Sequence, residues 1–221
     1  MKIRDILYYI IKNSSYAQHG EDILVKSHFE MKKNGFFIDV GAHHPFRFSN
    51  TFIFYKRKWR GINIDAKPGT KKLFDFFRPR DINLELGVAS VESNLTYYMF
   101  DEPALNGFAK ELAQSRNSKT KEGYHIIDSK DIPVYRLDKI LDEHLPANTQ
   151  IDFLSVDVEG LDLDVLSSNN WSKYRPTIVI AEDLDINLEK LDDSEIYRFL
   201  HSVNYSLVGK TLNSLIFKSN I

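Results

Sequence analysis

Four places in this chain put carboxylates at the ends of apolar runs, and each could do chemistry. Asp39 sits inside Phe36-Phe37-Ile38-Asp39-Val40-Gly41, two residues before the glycine. Asp65 closes Gly61-Ile62-Asn63-Ile64-Asp65. Asp157 and Glu159 close the run that begins at Ile151, and Glu182 and Asp183 follow Ile178-Val179-Ile180-Ala181. A charge at the end of an apolar run is costly unless it is put to use. In an open α/β sheet, ligands bind beyond the carboxyl ends of the strands, and an acid ending the second strand accepts ribose hydroxyls. Residues two apart on a strand share a face, so Asp157 and Glu159 would point the same way. Acids ending two adjacent strands, about 4.8 Å apart, can share an oxygen-loving cation such as Mg²⁺.

The turn after the first run narrows the ligand. A dinucleotide site wants Gly-x-Gly-x-x-Gly, so that backbone can close on a pyrophosphate. Here one glycine is followed by Ala42-His43-His44-Pro45. Such a turn suits a nucleoside cofactor without a phosphate, S-adenosylmethionine rather than NAD. The cofactor pocket is then expected to draw on Gln18, Asp39, Gly41, Ala42, His43, Asp65, Ala66, Gly87 and Asp157. Blander readings stand beside several of these. Asp39 could be a structural acid holding the turn, and Asp65 could cap the helix that starts near Pro68. Tyr16-Ala17-Gln18-His19-Gly20-Glu21-Asp22 is either a helix-capping segment or a wall of the pocket.

Three residues are open as the base, namely Asp157, His43 and His44; histidine titrates near neutral pH and suits that task. Arg47 and Asn50 follow the turn and could line the same crevice, and Asn106 in Pro103-Ala104-Leu105-Asn106-Gly107-Phe108 could touch substrate.

These residues need a scaffold, and the apolar pattern supplies one. Strands are expected at 36–40, 61–65, 81–88, 132–135, 151–158 and 177–181, with an extra arm over 92–100. Helices are expected near 3–12, 20–32, 49–58, 68–77, 136–144, 162–167 and 194–203. Tyr205–Val208 and Ser214–Lys218 read as a terminal hairpin. The fold class is α/β: a doubly wound, Rossmann-like seven-stranded sheet with helices on both faces and an antiparallel C-terminal hairpin. The polar stretch 101–130 reads as a long lid or substrate loop. Residues 1–35 form an N-terminal helical segment and 36–221 the main domain.

Composition excludes several classes. The chain has 221 residues, enough for one substantial core. A formal net charge of −2 gives no bulk support for a nucleic-acid partner. With no cysteine, disulfides, thiolate zinc sites and cysteine nucleophiles are excluded. No apolar run approaches the ~20 residues of a membrane span. Residues 3–11 are apolar-rich but carry Arg4 and Asp5 and lack a cleavage site, so a packed helix is expected, with peripheral membrane contact as the alternative. Cytoplasmic location follows as an expectation.

Several of these pieces together resemble the FkbM-type methyltransferases, which use S-adenosylmethionine. They are Ser15-Tyr16-Ala17-Gln18-His19-Gly20-Glu21-Asp22, Phe37 to Pro45, Arg47 to Thr51, Gly61 to Asp65, Asp81 to Leu84, and Ser155 to Gly160. The resemblance runs from about Ser15 to Asp183. Many relatives have an Asn-Ile-Gly-type turn where this chain has His43-His44-Pro45. The resemblance implies O-methylation, often of a sugar hydroxyl in a polysaccharide or glycoconjugate; a small natural product, or a non-catalytic cofactor-binding module, is the alternative. A related group of Mg²⁺-dependent sugar O-methyltransferases has an acid-x-acid pair after one strand and two acids after the next. By that likeness Glu159, Glu182 and Asp183 are the metal candidates and Asp157 the base.

Overall fold

The computed structural model describes residues 14–120, 122–184 and 186–221. The helix expected near 3–12 lies outside them. Seven strands make the main sheet: β1 (Phe36–Val40), β2 (Arg60–Asp65), β3 (Ile82–Glu85), β7 (Phe153–Val156), β8 (Ile178–Glu182), β9 (Tyr205–Lys210) and β10 (Ser214–Ser219). Their order across the sheet is β3-β2-β1-β7-β8-β10-β9. The first five strands in that order, β3 to β8, run parallel. β10 runs antiparallel to both β8 and β9, so the sheet is mixed and ends in the expected hairpin.

β1, β7 and β8 are buried on both faces and therefore read as nearly continuous apolar runs. One face meets α5 (Leu137–His144), α6 (Asp162–Ser167) and α7 (Glu195–Ser202). Leu137, Ile140 and Leu141 present one stripe of α5 at helical spacing, and Ile196 and Leu200 do the same on α7. The Ser194 hydroxyl accepts the Tyr197 amide at 3.0 Å and starts α7. The other face carries α1 (Glu21–His28), α2 (Phe52–Lys56) and α3 (Thr70–Phe77). There Phe29, Phe37, Phe54, Trp59 and Phe153 form one aromatic cluster, with neighbouring ring centres 4.7 to 6.5 Å apart. Each such side chain contributes about 1.5–3 kcal/mol on burial.

Two regions depart from the pattern read in the sequence. The third strand ends at Glu85; Gly87–Val88 (β4) instead joins a small second sheet with β5 (Ser93–Phe100) and β6 (Ile126–Tyr135), in the order β4-β6-β5. β5 pairs antiparallel with β6, which extends the expected 132–135 strand six residues upstream. The 101–130 stretch is therefore no plain loop: it holds a 3₁₀ turn (Pro103–Leu105), helix α4 (Lys110–Arg116) and the first half of β6. The upstream half of β6 is largely exposed, Ile127 included, so it shows no alternation of buried and exposed residues; its partner strand holds it in place.

Candidate active site

A narrow cleft opens at the carboxyl ends of β1, β2 and β7, where open α/β sheets place their ligands. Gly41, Asp65 and Asp157 come to it from three different strand ends, and Tyr97, Asn106 and Phe108 close it from the small sheet.

Gly41 makes the junction. Its φ is +80°, and a Cβ there would stand 1.7 Å from the Asp157 carbonyl oxygen. The amides of Gly41 and Ala42 donate to the Ile64 carbonyl at 2.9 and 3.1 Å, and the Asp157 amide donates to Val40 at 3.0 Å. A side chain at residue 41 would push these three strand ends apart.

Asp65 faces the cleft and is tied at both oxygens. Oδ2 accepts the His43 amide at 2.7 Å and Oδ1 the Lys67 amide at 2.8 Å. The Thr70 hydroxyl is a third partner of this carboxyl, and the lone-pair capacity left is what a ribose hydroxyl could use. Burial raises the Asp65 carboxyl, and the two backbone donors pull it down.

The acids after β7 and β8 meet. One oxygen each from Asp157, Glu159 and Glu182 lies within 4.8 Å of the others. Burial, then the neighbouring Glu159, holds the Asp157 carboxyl well above the usual range. Burial, then Asp157, pushes Glu182 up to about 10. Glu182 is only 8% exposed, and among the described residues its Oε2 has no hydrogen-bond partner. Three crowded acids with an orphaned buried oxygen fit a hard divalent cation, which would supply the missing charge. Arg116 of α4 donates to Glu159 Oε2 at 2.5 Å and partly neutralises the group. Glu159 itself sits at φ +56°, a conformation that costs about 1–3 kcal/mol. Asp162 stabilises that turn by accepting the amides of Val158 and Gly160.

Of the expected cofactor residues, Gln18, Gly41, His43, Asp65, Ala66, Gly87 and Asp157 line the cleft. Asp39 and Ala42 do not. Asp39 points to the other face of β1, where the Thr51 hydroxyl donates to it at 2.7 Å and Arg78 lies close. Ala42 is buried behind the turn and contributes its amide to β2. Of the base candidates, Asp157 and His43 line the cleft and His44 does not. His44 Nδ1 accepts the amides of Phe46 and Arg47, so its ring builds the turn. Burial, then Arg47, lowers His43 to about 4, which leaves it a neutral and weak base. Asp183 stands apart from the three clustered acids: its Oδ2 accepts the Ser194 hydroxyl at 2.5 Å. Arg47 is held by Glu102 through both carboxylate oxygens. Asn106 lines the cleft, and its Oδ1 accepts the Phe100 amide. Asn50 donates to Ser155 at 3.0 Å and faces a smaller polar hollow shared with Gln18, His19, Asp157, Glu182 and Asn213.

Tyr97 and Arg116 are site residues that the sequence did not announce. Tyr97 is an inward position of β5, where alternation was visible but no strand-end rule applied. Arg116 lies in a polar stretch with nothing local to distinguish it from its neighbours.

A family model described as "Methyltransferase FkbM domain" matches residues 39–207, more than half of the chain. The match begins after the Ser15–Asp22 segment and continues through α7 into β9. No curated protein matches the sequence.

Proposed function

This chain belongs to the FkbM family of S-adenosylmethionine-dependent methyltransferases, and we propose that it methylates a sugar hydroxyl with the help of a divalent cation. The observation that supports this reading is the acidic group in which Asp157 and Glu159 line the cleft and Glu182 stands within reach of both. A hydroxyl is a weak acid and a carboxylate a weak base, so a hydroxyl acceptor needs something to lower its pKa. A cation held by Glu159, Glu182 and Asp157 would do that, by the logic that lowers the pKa of metal-bound water. An amine acceptor, once it has lost its ammonium proton to a base, is nucleophilic without a metal.

The residues divide the work. Asp65 takes the ribose hydroxyls, and Gly41 lets the turn approach the nucleoside. Tyr97, pushed up by burial and by Asp65, keeps its proton and stays a hydrogen-bond donor. S-adenosylmethionine supplies a methyl group on a cationic sulfur, which departs as a neutral thioether. With a cation's charge holding it ionised against its burial and Glu159, Asp157 would take the hydroxyl proton on a carboxylate oxygen. Asp157 lines both the cleft and the polar hollow of Gln18, His19, Asn50 and Asn213. Besides the Phe48 ring, the hollow offers amide, ring-nitrogen and carboxylate groups that can bond sugar hydroxyls.

The test pairs binding with transfer. S-adenosylhomocysteine should bind one site in a calorimeter while NAD gives no heat. With methyl-labelled cofactor and a panel of glycans, label should enter the glycan as an alkali-stable ether and cease with EDTA. Asp157→Asn should bind S-adenosylhomocysteine normally and turn over at least ~100-fold more slowly, the size of a general-base effect. Label found in an amine, or transfer untouched by EDTA, would sink the sugar-hydroxyl and metal reading.

A further inference from the structure

Charge is distributed very unevenly along this chain. Between His43 and Asp81 it carries ten Lys and Arg against three Asp, whereas the rest carries nineteen against twenty-eight Asp and Glu. A chain with net charge −2 therefore has one strongly cationic region and an acidic remainder. Two of the three acids in the cationic region are buried: Asp65 in the cleft wall, and Asp81, which pairs with the buried Arg78 at 2.9 Å. Asp75 is paired with Lys71 at 2.5 Å.

The same region exposes large apolar side chains. Phe76 on α3 is 78% exposed, and Leu73, Phe77 and Phe46 are each about two-fifths exposed. They are contiguous, because the Phe76 and Phe77 ring centres are 4.9 Å apart and those of Phe77 and Phe46 5.4 Å. Phe46 in turn leans on Phe52, and Phe52 on Tyr55. Cations edge the row. Arg80 lies over the Tyr55 ring at 4.1 Å, and Lys71 and Lys72 are exposed on α3.

A phenylalanine that is three-quarters in water contributes little to this fold, and beside an exposed lysine it suits the headgroup boundary of an anionic bilayer. We propose that α3 and the Phe46 turn form a membrane-docking face for an anionic lipid surface, with Phe76 as the inserting side chain and Lys72 and Arg80 meeting the headgroups. Charge complementarity selects this partner. Each cation near an anionic bilayer contributes about 1 kcal/mol, and apolar side chains add to this by entering the headgroup boundary. A nucleic acid would use the cations but gains little from a protruding phenylalanine with no pocket beside it. His44 and Leu73 line one shallow hollow with His43, which also lines the cleft. A bilayer on this face would thus lie next to the cleft mouth.

The test is co-sedimentation of the full chain with vesicles. Phosphatidylcholine alone should leave it in the supernatant, and an equal mixture with phosphatidylglycerol should pellet it. Phe76→Ser and Lys72→Glu should each weaken that binding by roughly 10-fold or more, with unchanged far-ultraviolet dichroism and melting temperature. No binding to either vesicle overturns the proposal. So does binding that Phe76→Ser leaves intact, and so does a fluorescent oligonucleotide that binds tightly where vesicles do not. Phe76 lies outside the cleft, so these outcomes are independent of the methyl-transfer reading.

Discussion

The backbone carbonyl of Asp157 occupies the space that a side chain on Gly41 would need, with only 1.7 Å between that oxygen and an added Cβ. The Gly41 turn and the strand end that carries Asp157 are thus one packed unit. Gly41→Ala should cost at least ~2 kcal/mol, since the positive φ alone costs ~1–3 kcal/mol and the clash adds to it. Urea unfolding checks this. A variant with wild-type stability and cofactor affinity would contradict the geometry.

Asp65 should matter to affinity more than to stability. Its two oxygens already accept two amides, so a ribose diol meets a fixed carboxylate with no rotamer left to order. Hydrogen bonds to a charged group are worth about 1.5–3 kcal/mol. Asp65→Ala should therefore weaken S-adenosylhomocysteine by roughly 10- to 100-fold in calorimetry, with the protein still folded. Unchanged affinity would remove Asp65 from the ribose site.

Much of this site was legible because open parallel sheets put ligands at strand ends. Asp65 and Asp157 each close an apolar run, and that pattern alone placed both in the cleft. The same rule failed for Asp39, which lies within its strand: a period of two turns its side chain to the opposite face from Ile38 and Val40, into the layer with Thr51 and Arg78. It failed for His44, whose ring accepts amides of its own turn, a local use that residue type cannot reveal. It failed for Asp183, because adjacent residues at a strand end face opposite ways and only Glu182 turns to the cluster. Arg116 was invisible because its contact with Glu159 spans 43 positions, and no spacing rule reaches that far.

The clustered acids should respond to metal even without an acceptor. Glu182 Oε2 is buried and unpartnered, and a bound divalent ion would relieve it. At a hundred-fold excess over its dissociation constant, a ligand of the native state adds about 2.7 kcal/mol. For a chain of this size that is a rise of about 5 °C or more in melting temperature. Mg²⁺ or Mn²⁺ should produce it in the wild type, and Glu182→Gln should abolish it. Equal rises in both proteins would place the ion elsewhere.

Asp39 should give the fold a pH dependence of its own. Burial raises its carboxyl to about 6 from an ordinary 3.8, against the opposing pull of the Thr51 hydroxyl and Arg78. The folded state therefore holds this proton more tightly than the unfolded state does. Stability from this group is complete below pH 3.8 and declines as pH rises through about 6. A carboxyl raised that far corresponds to about 3 kcal/mol as an order of magnitude. Asp39→Asn has no such proton to lose, so its stability relative to wild type should climb between pH 4 and pH 7. Urea midpoints for both proteins across that range measure the difference, in which titrations shared by the two cancel. A flat difference, or one that falls with pH, would mean that Thr51 and Arg78 hold Asp39 ionised throughout.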